Sequence, residues 1–215
     1  MNLVLDRMCI YLAERALFAP LDLNLAPGAI VTLMGPSGCG KSTLLSHLCG
    51  ILPAPFRATG TISLGTRRLD GLPPEQRRVG ILFQDALLFP HLSVAENLAF
   101  GLPRGLSRDE RRRRVATALH EADLTGLGEQ APATLSGGQR ARAALLRTLL
   151  AEPAALLLDE PFSKLDTTLR GRMRSFVFSH ARERGLPTLL VTHDPADADA
   201  AGGPVLSLSA PIDGR

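Results

Sequence analysis

The chain has 215 residues, 45% of them hydrophobic and 21% charged; this ordinary globular usage excludes a disordered, collagen-like or disulfide-stapled chain. Its 24 basic and 21 acidic side chains leave a net charge of only +3, less than a nucleic-acid-binding chain usually carries. Cys9, Cys39 and Cys49 form no CxxC pair, fit a reducing compartment and supply no zinc site. No apolar run approaches the ~20 residues of a membrane span. Asp6, Arg7, Glu14 and Arg15 interrupt the N-terminal apolar stretch where a signal peptide needs continuity. The expectation is a cytoplasmic chain that exercises any membrane role through a partner.

From Leu3 to Leu25 a loose apolar alternation broken by Pro20 predicts a small antiparallel layer. Ala29–Met34 is nearly continuous in apolar residues, as in a strand buried on both faces, and a helix over Lys41–Gly50 follows it. Val79–Phe83 predicts the next strand. Between Phe89 and Leu135 strand-like runs vanish: Ser93–Phe100, Ser107–Ala122 and the approach to Leu135 read as helices separated by Pro103, Gly105, Gly126 and Gly128. A helix then runs from Ser136 toward Leu150. Ala155–Leu158 and Pro187–Val191 predict two more strands with a helix over Leu165–Arg184 between them, and Val205–Arg215 has room for one strand and a tail. This alternation predicts an α/β fold with a mainly parallel sheet, a small N-terminal antiparallel layer and an inserted helical subdomain. The expected organisation is one domain over residues 1–215, with a core from 1–84 and 136–215 and the helical subdomain over 85–135.

Gly35-Pro36-Ser37-Gly38-Cys39-Gly40-Lys41-Ser42-Thr43 matches GxxxxGK[ST] between a predicted strand and a predicted helix, the context the motif's mechanism requires. Glycines let the backbone curl so that successive N–H groups face phosphate oxygens, and the helix N-terminus adds positive potential. Lys41 places a point charge on the β/γ-phosphates and Ser42 supplies a Mg²⁺ ligand. Leu156-Leu157-Leu158-Asp159-Glu160 is an apolar strand ending in two carboxylates. Beside a phosphate loop, Asp159 suits Mg²⁺ held through water, and Glu160 suits orientation and deprotonation of an attacking water. A strand merely closed by a polar turn is the plain reading of Asp159-Glu160-Pro161 taken alone.

Ser136-Gly137-Gly138-Gln139 opens a helix with a good N-cap and two bare glycines, a second anion site far in sequence from the first. One chain carries one phosphate loop, so the simplest geometry is two copies head to tail, each offering Ser136 to ATP held by the other's Lys41.

The phosphate loop, Gln84, the run Leu135–Gln139, Leu156–Pro161, Leu165-Asp166 and His193 occur in the order seen in ATP-binding cassette ATPases. The chain resembles that family from Gly28 to Asp194. The resemblance implies a P-loop ATPase core with ATP and Mg²⁺ as cofactors, and a homodimer that binds each ATP through residues 35–43 of one copy and Ser136–Gln139 of the other. It implies that Gln84 senses Mg²⁺ and the γ-phosphate, that His193 contacts the γ-phosphate, and that Asp166 communicates across the dimer. It also calls for an aromatic adenine platform near Tyr11, although the spacing puts either Tyr11 or Leu12 there. Lys164 departs from the small residue the family commonly has before Leu165.

The segment from Gln84 to Leu98 is apolar for a connection leaving a sheet and is similar to the region of bacterial importer cassettes that receives a cytoplasmic helix of the membrane subunit. The resemblance thus implies the ATPase of a solute importer with a separate permease, a solute-binding protein and a place on the inner face of the cell membrane. An efflux or lipoprotein-releasing system shares the same motifs, and a cassette acting on nucleic acid is the more distant alternative. The basic run Arg108 and Arg111–Arg114 reads first as a solvated helix face partnered by Asp109, Glu110 and Glu121.

Overall fold

A computed structural model of the chain describes residues 1–209. In chain order the elements are β1 (Leu3–Leu12), β2 (Arg15–Ala16), β3 (Leu21–Leu25), β4 (Ile30–Met34), α1 (Lys41–Cys49), β5 (Phe56–Leu64), β6 (Arg67–Arg68), α2 (Pro74–Arg77) and β7 (Val79–Leu82). They continue as α3 (Val94–Gly101), α4 (Arg108–Glu121), a 3₁₀ turn (Pro132–Thr134), α5 (Gly137–Leu150), β8 (Ala155–Asp159), α6 (Thr167–Glu183), β9 (Thr188–Val191), α7 (Pro195–Ala201) and β10 (Val205–Ser207). The expected tail after β10 lies, from residue 210 onward, outside the described residues. Among the described residues two compact units emerge: 1–81, 154–160 and 176–209 form one, and 82–153 with 161–175 form the other. The second unit takes in α5, which the sequence places in the core, because α5 packs along α3.

The first unit holds two sheets. One has the strand order β10-β4-β9-β8-β7, with β10, β4, β9 and β8 parallel to their neighbours. Its central strands are apolar on both faces, the pattern of a parallel sheet covered on both sides. Leu33, Leu157 and Leu189 from these strands join Leu44 and Leu48 of α1 in the core. The other sheet is antiparallel and centred on β1, which pairs with β2, β3 and β5. β1 bulges between Asp6 and Cys9, where Arg7 has φ 47. Gly60 of β5 faces that bulge at φ +92, and a Cβ there would stand 2.6 Å from the carbonyl oxygens of Asp6 and Arg7; only glycine admits so close a backbone.

The second unit is helical. Serines cap α3, α4 and α5: Ser93, Ser107 and Ser136 each accept a hydrogen bond from the N3 amide. The nearly buried Arg142 of α5 donates to the carbonyls of Ala122 and Asp123, closing the C-terminal end of α4. The basic run of α4 is tied into its own unit: Arg114 bonds Glu110 at 2.8 Å and Glu152 at 2.5 Å, and Arg113 pairs with Glu110.

Candidate functional site: a phosphate loop beside two carboxylates

Residues 35–43 carry the chain from the end of β4 into the first turn of α1. Gly35 has φ +148, and a Cβ there would meet the backbone oxygen of Leu208 at 2.5 Å, so the loop leaves β4 in a path that only glycine permits. Pro36, Ser37 and Gly38 are exposed, Cys39 and Gly40 are buried, and Thr43 is half-buried. Gly40 caps α1 with φ 94 and no side-chain acceptor, and the first turn holds no acidic residue. Unlike α3, α4 and α5, this helix thus leaves its cap position open to an anion, at the positive end of its dipole. The Lys41 ammonium folds back over the loop and donates to the carbonyls of Gly35 (2.8 Å) and Pro36 (2.9 Å), with Cys39 Sγ 3.7 Å away. Both carbonyl acceptors are neutral, so its charge is available to a phosphate.

Asp159, at the end of β8, is only 5% exposed. Burial pushes its carboxyl above the ordinary range; a hydrogen bond from Ser42 and the charge of Lys41 oppose that push, whereas neighbouring Glu160 adds to it. A buried carboxylate bonded to a hydroxyl is a pair of hard oxygen donors that fits Mg²⁺, an ion that takes few protein ligands and completes its shell with phosphate and water. Among the described residues no cluster of three His, Cys, Asp or Glu side chains is arranged for a metal, so a cation here would depend on oxygens of a bound phosphate.

Glu160 sits in the left-handed region at φ 49 while its amide donates to the carbonyl of Val191 at 2.9 Å. A non-glycine residue held there marks a position where the surroundings fix the backbone. The turn aims the carboxylate at the end of β9, where Glu160 Oε1 lies 2.8 Å from Nδ1 of His193. The imidazole side chain is 76% exposed and the carboxylate 13%. The hydrogen bond to Glu160 holds the imidazole above its ordinary pKa. Residues 35–43, Asp159, Glu160 and His193 therefore lie at or just beyond the C-terminal ends of β4, β8 and β9, three strands adjacent in one sheet. That end of a parallel sheet is where open α/β folds place ligands.

Gln84, Ser136–Gln139 and Asp166 lie in the second unit. Gln84 is exposed just after β7. Ser136 Oγ accepts from the Gln139 amide at 3.2 Å and Gln139 Oε1 accepts from the Ser136 amide at 2.8 Å, a closed capping box. A Cβ added at Gly137 would meet nothing within 4 Å, so the mouth of α5 is open beside that box. Asp166 Oδ1 accepts from the amide of Leu169 at 3.0 Å at the start of α6. Lys164, the departure noted above, bonds Asp85 at 2.8 Å and so ties the loop before Asp166 to the residue after Gln84. Tyr11 lies in the first unit, opposite Arg57 of β5, whose guanidinium stands 4.2 Å over the ring centroid. One face of that ring is already covered.

Residues 18–163 match the family model described as ABC transporter. The chain belongs to the ABC transporter family. It is an ATP-hydrolysing cassette, an α/β fold with a parallel sheet, a small antiparallel sheet and added helices. The cassette is 52% identical over 198 residues to YnjD of Escherichia coli K12, named an uncharacterized ABC transporter ATP-binding protein, covering 92% of this chain and 91% of that one. It is 40% identical over 206 residues to the spermidine/putrescine import ATP-binding protein PotA of Oleidesulfovibrio alaskensis, covering 95% of this chain and 54% of the relative. With the maltose/maltodextrin import ATP-binding protein MalK of Salmonella typhimurium it shares 41% over 191 residues, covering 88% and 51%. The cassette thus spans about half the length of these import proteins. A solved structure described as a dimeric bacterial ABC transporter cassette superposes with a TM-score of 0.83 at 29% identity, covering 96% of this chain and 94% of the other.

Sequence reasoning missed Thr192 and Asp197 beside Glu160, and Asn97 in the helical unit. Asn97 is buried and holds the preceding loop: its side chain accepts from the amide of Phe89 at 2.8 Å and donates to the carbonyls of Phe89, Leu92 and Ser93 at 3.0–3.1 Å. A buried Asn in an otherwise apolar helix face was the available signal.

Proposed function

We propose that the cassette is the ATPase subunit of a bacterial solute importer, working as a head-to-tail homodimer that clasps two ATP and drives a separate membrane permease. What supports the dimer reading is the uncrowded turn at Gly137 beside the Ser136 cap of α5, where a nucleotide held in the twin's Lys41 cradle would be met. Residues 35–43 would grip the phosphates of ATP and Ser136–Gln139 of the twin would close over them. Ser42, Asp159 and Gln84 would hold Mg²⁺, which supplies charge neutralisation on the phosphates. Glu160 accepts a proton from the attacking water, and His193 orients Glu160 and faces the γ-phosphate. Asp166 links the two copies, and Tyr11 is the candidate for the adenine. ATP drives closure because it binds the closed dimer more tightly than the open one.

Support for the permease comes from the helical unit. Leu87 and Phe100 are 60% and 65% exposed, and Phe100 packs edge-on against Phe89 at 4.7 Å. Arg147 donates to the Leu87 carbonyl at 3.0 Å and stacks over Phe89 at 5.1 Å, so the exposed apolar loop is held in one shape. No helix among the described residues is long and apolar enough to cross a membrane, so contact with the inner face of the membrane would run through the permease, with a solute-binding protein completing the system. That the named relatives include import ATP-binding proteins favours import over the efflux and lipoprotein-releasing alternatives. Carboxylates in place of both exposed side chains, Leu87→Asp with Phe100→Asp, should remove most of the cassette from the membrane fraction of cells producing it, while ATP binding by the purified protein persists. Full membrane recovery of the double variant would contradict docking through this loop.

A further inference from the structure

Lys164 lies in the loop that enters α6, two residues before Asp166. Its ammonium bonds Oδ1 of Asp85 at 2.8 Å, and Asp85 directly follows Gln84. The backbone of the same loop lies against the start of α5. A Cβ added at Gly138 would stand 3.4 Å from the Lys164 carbonyl oxygen and 3.4 Å from Cδ2 of Leu165. Arg170 of α6 steadies the loop from behind, donating to the Leu165 carbonyl at 3.0 Å. Lys164 therefore meets the Gln84 segment with its side chain and the Ser136–Gln139 segment with its backbone, all within the second unit. The Lys164 and Asp85 side chains are 41% and 82% exposed, and an ion pair so exposed contributes little to stability. It joins residues 79 positions apart, so what it fixes is the spacing of two segments rather than the fold.

We propose that Lys164 and Asp85 are positioning residues that latch the Gln84 segment to the start of α5 and the Asp166 loop, so that the three move as one piece. The role rests on the head-to-tail dimer, in which Gln84 meets the ATP of its own copy and Ser136–Gln139 meet the ATP of the twin. A displacement of Gln84 by ATP in one site is then carried through the ion pair to the segment that faces the other site. Neither residue touches substrate; both act through the segments they join.

The test is a charge-swap cycle on the full chain. Lys164→Asp sets two carboxylates against each other, and kcat for Mg-ATP hydrolysis should fall by about three- to tenfold. The dissociation constant for ATP, titrated at protein dilute enough to stay monomeric, should hold within about twofold, because the defect lies outside the phosphate loop. A thermal melt within a few degrees of the parent shows that the exposed substitution leaves the fold intact. Adding Asp85→Lys rebuilds the pair with the combined reach of the two side chains conserved, and kcat should return to within about twofold of the parent; such rescue is expected only of coupled groups. In the Glu160→Gln background, Lys164→Asp should raise the Mg-ATP concentration that half-dimerises the chain by about threefold or more, and the swap should restore it. That second readout follows the segment facing the twin, which a defect confined to Gln84 would not move. An unshifted dimerisation midpoint, or a double variant slowed by the product of the two single effects, would overturn the latch. Glu160→Gln protein that stays monomeric at saturating Mg-ATP would remove the dimer and this role together, whereas a Mg-ATP dimer beside a multiplicative cycle would remove this role alone.

Discussion

Replacing Glu160 with glutamine should slow ATP hydrolysis by about 10²–10⁴-fold, the range for loss of a positioned general base, while the dissociation constant for ATP stays within about threefold. The amide matches the carboxylate in shape and can still meet Nδ1 of His193, now 2.8 Å from Oε1, so the turn at φ 49 has no steric reason to move. What it loses is the capacity to take a proton. Phosphate release and a nucleotide titration on the same preparation read the two quantities separately. Hydrolysis at the wild-type rate would assign the base elsewhere.

Lys41→Ala should act on binding instead. The ammonium makes two hydrogen bonds to loop carbonyls, and with ATP present we expect those donors to turn to phosphate oxygens. Hydrogen bonds to charged groups contribute roughly 1.5–3 kcal/mol each, so the loss of even one weakens ATP by about 10–100-fold. The fold should persist, because Lys41 is only half-buried at the mouth of α1 and the core beneath it is built from Leu44, Leu45 and Leu48. A thermal melt within a few degrees of the parent, together with the weakened titration, is the expected pair of results. Unchanged ATP affinity would count against the phosphate-loop role.

The contrast between these variants reflects how differently the parts of the molecule were legible. The buried parallel strands were readable because β4, β8 and β9 are nearly continuous in apolar residues, broken only by Thr32 within β4 and by Asp159 and Thr188 at strand ends. The serine-started helices were readable because Ser93, Ser107 and Ser136 carry the local chemistry of an N-cap. β5 was not: Phe56–Leu64 is largely exposed at its start and broken by Gly60, so its strand character comes from pairing with β1 rather than from its own pattern. α7 was missed although Asp194 and Pro195 are a proper helix start, because seven residues are too few to show a helical period. In the site, the loop and the two carboxylates stand in contiguous motifs. The bond between Glu160 and His193 joins residues 33 positions apart, and Thr192 looks from its own segment like the last residue of a strand. Proximity made by tertiary pairing leaves no mark on spacing.

The dimer is the claim on which the mechanism depends, and sedimentation of the Glu160→Gln protein tests it most directly. Saturated with Mg-ATP, which it binds and turns over slowly, the protein should sediment as a dimer, revert to monomer when nucleotide is removed, and stay monomeric with nucleotide when Ser136 is also changed to a bulky residue such as phenylalanine. A Glu160→Gln chain that remains monomeric at saturating Mg-ATP, even with its permease present, would contradict the account.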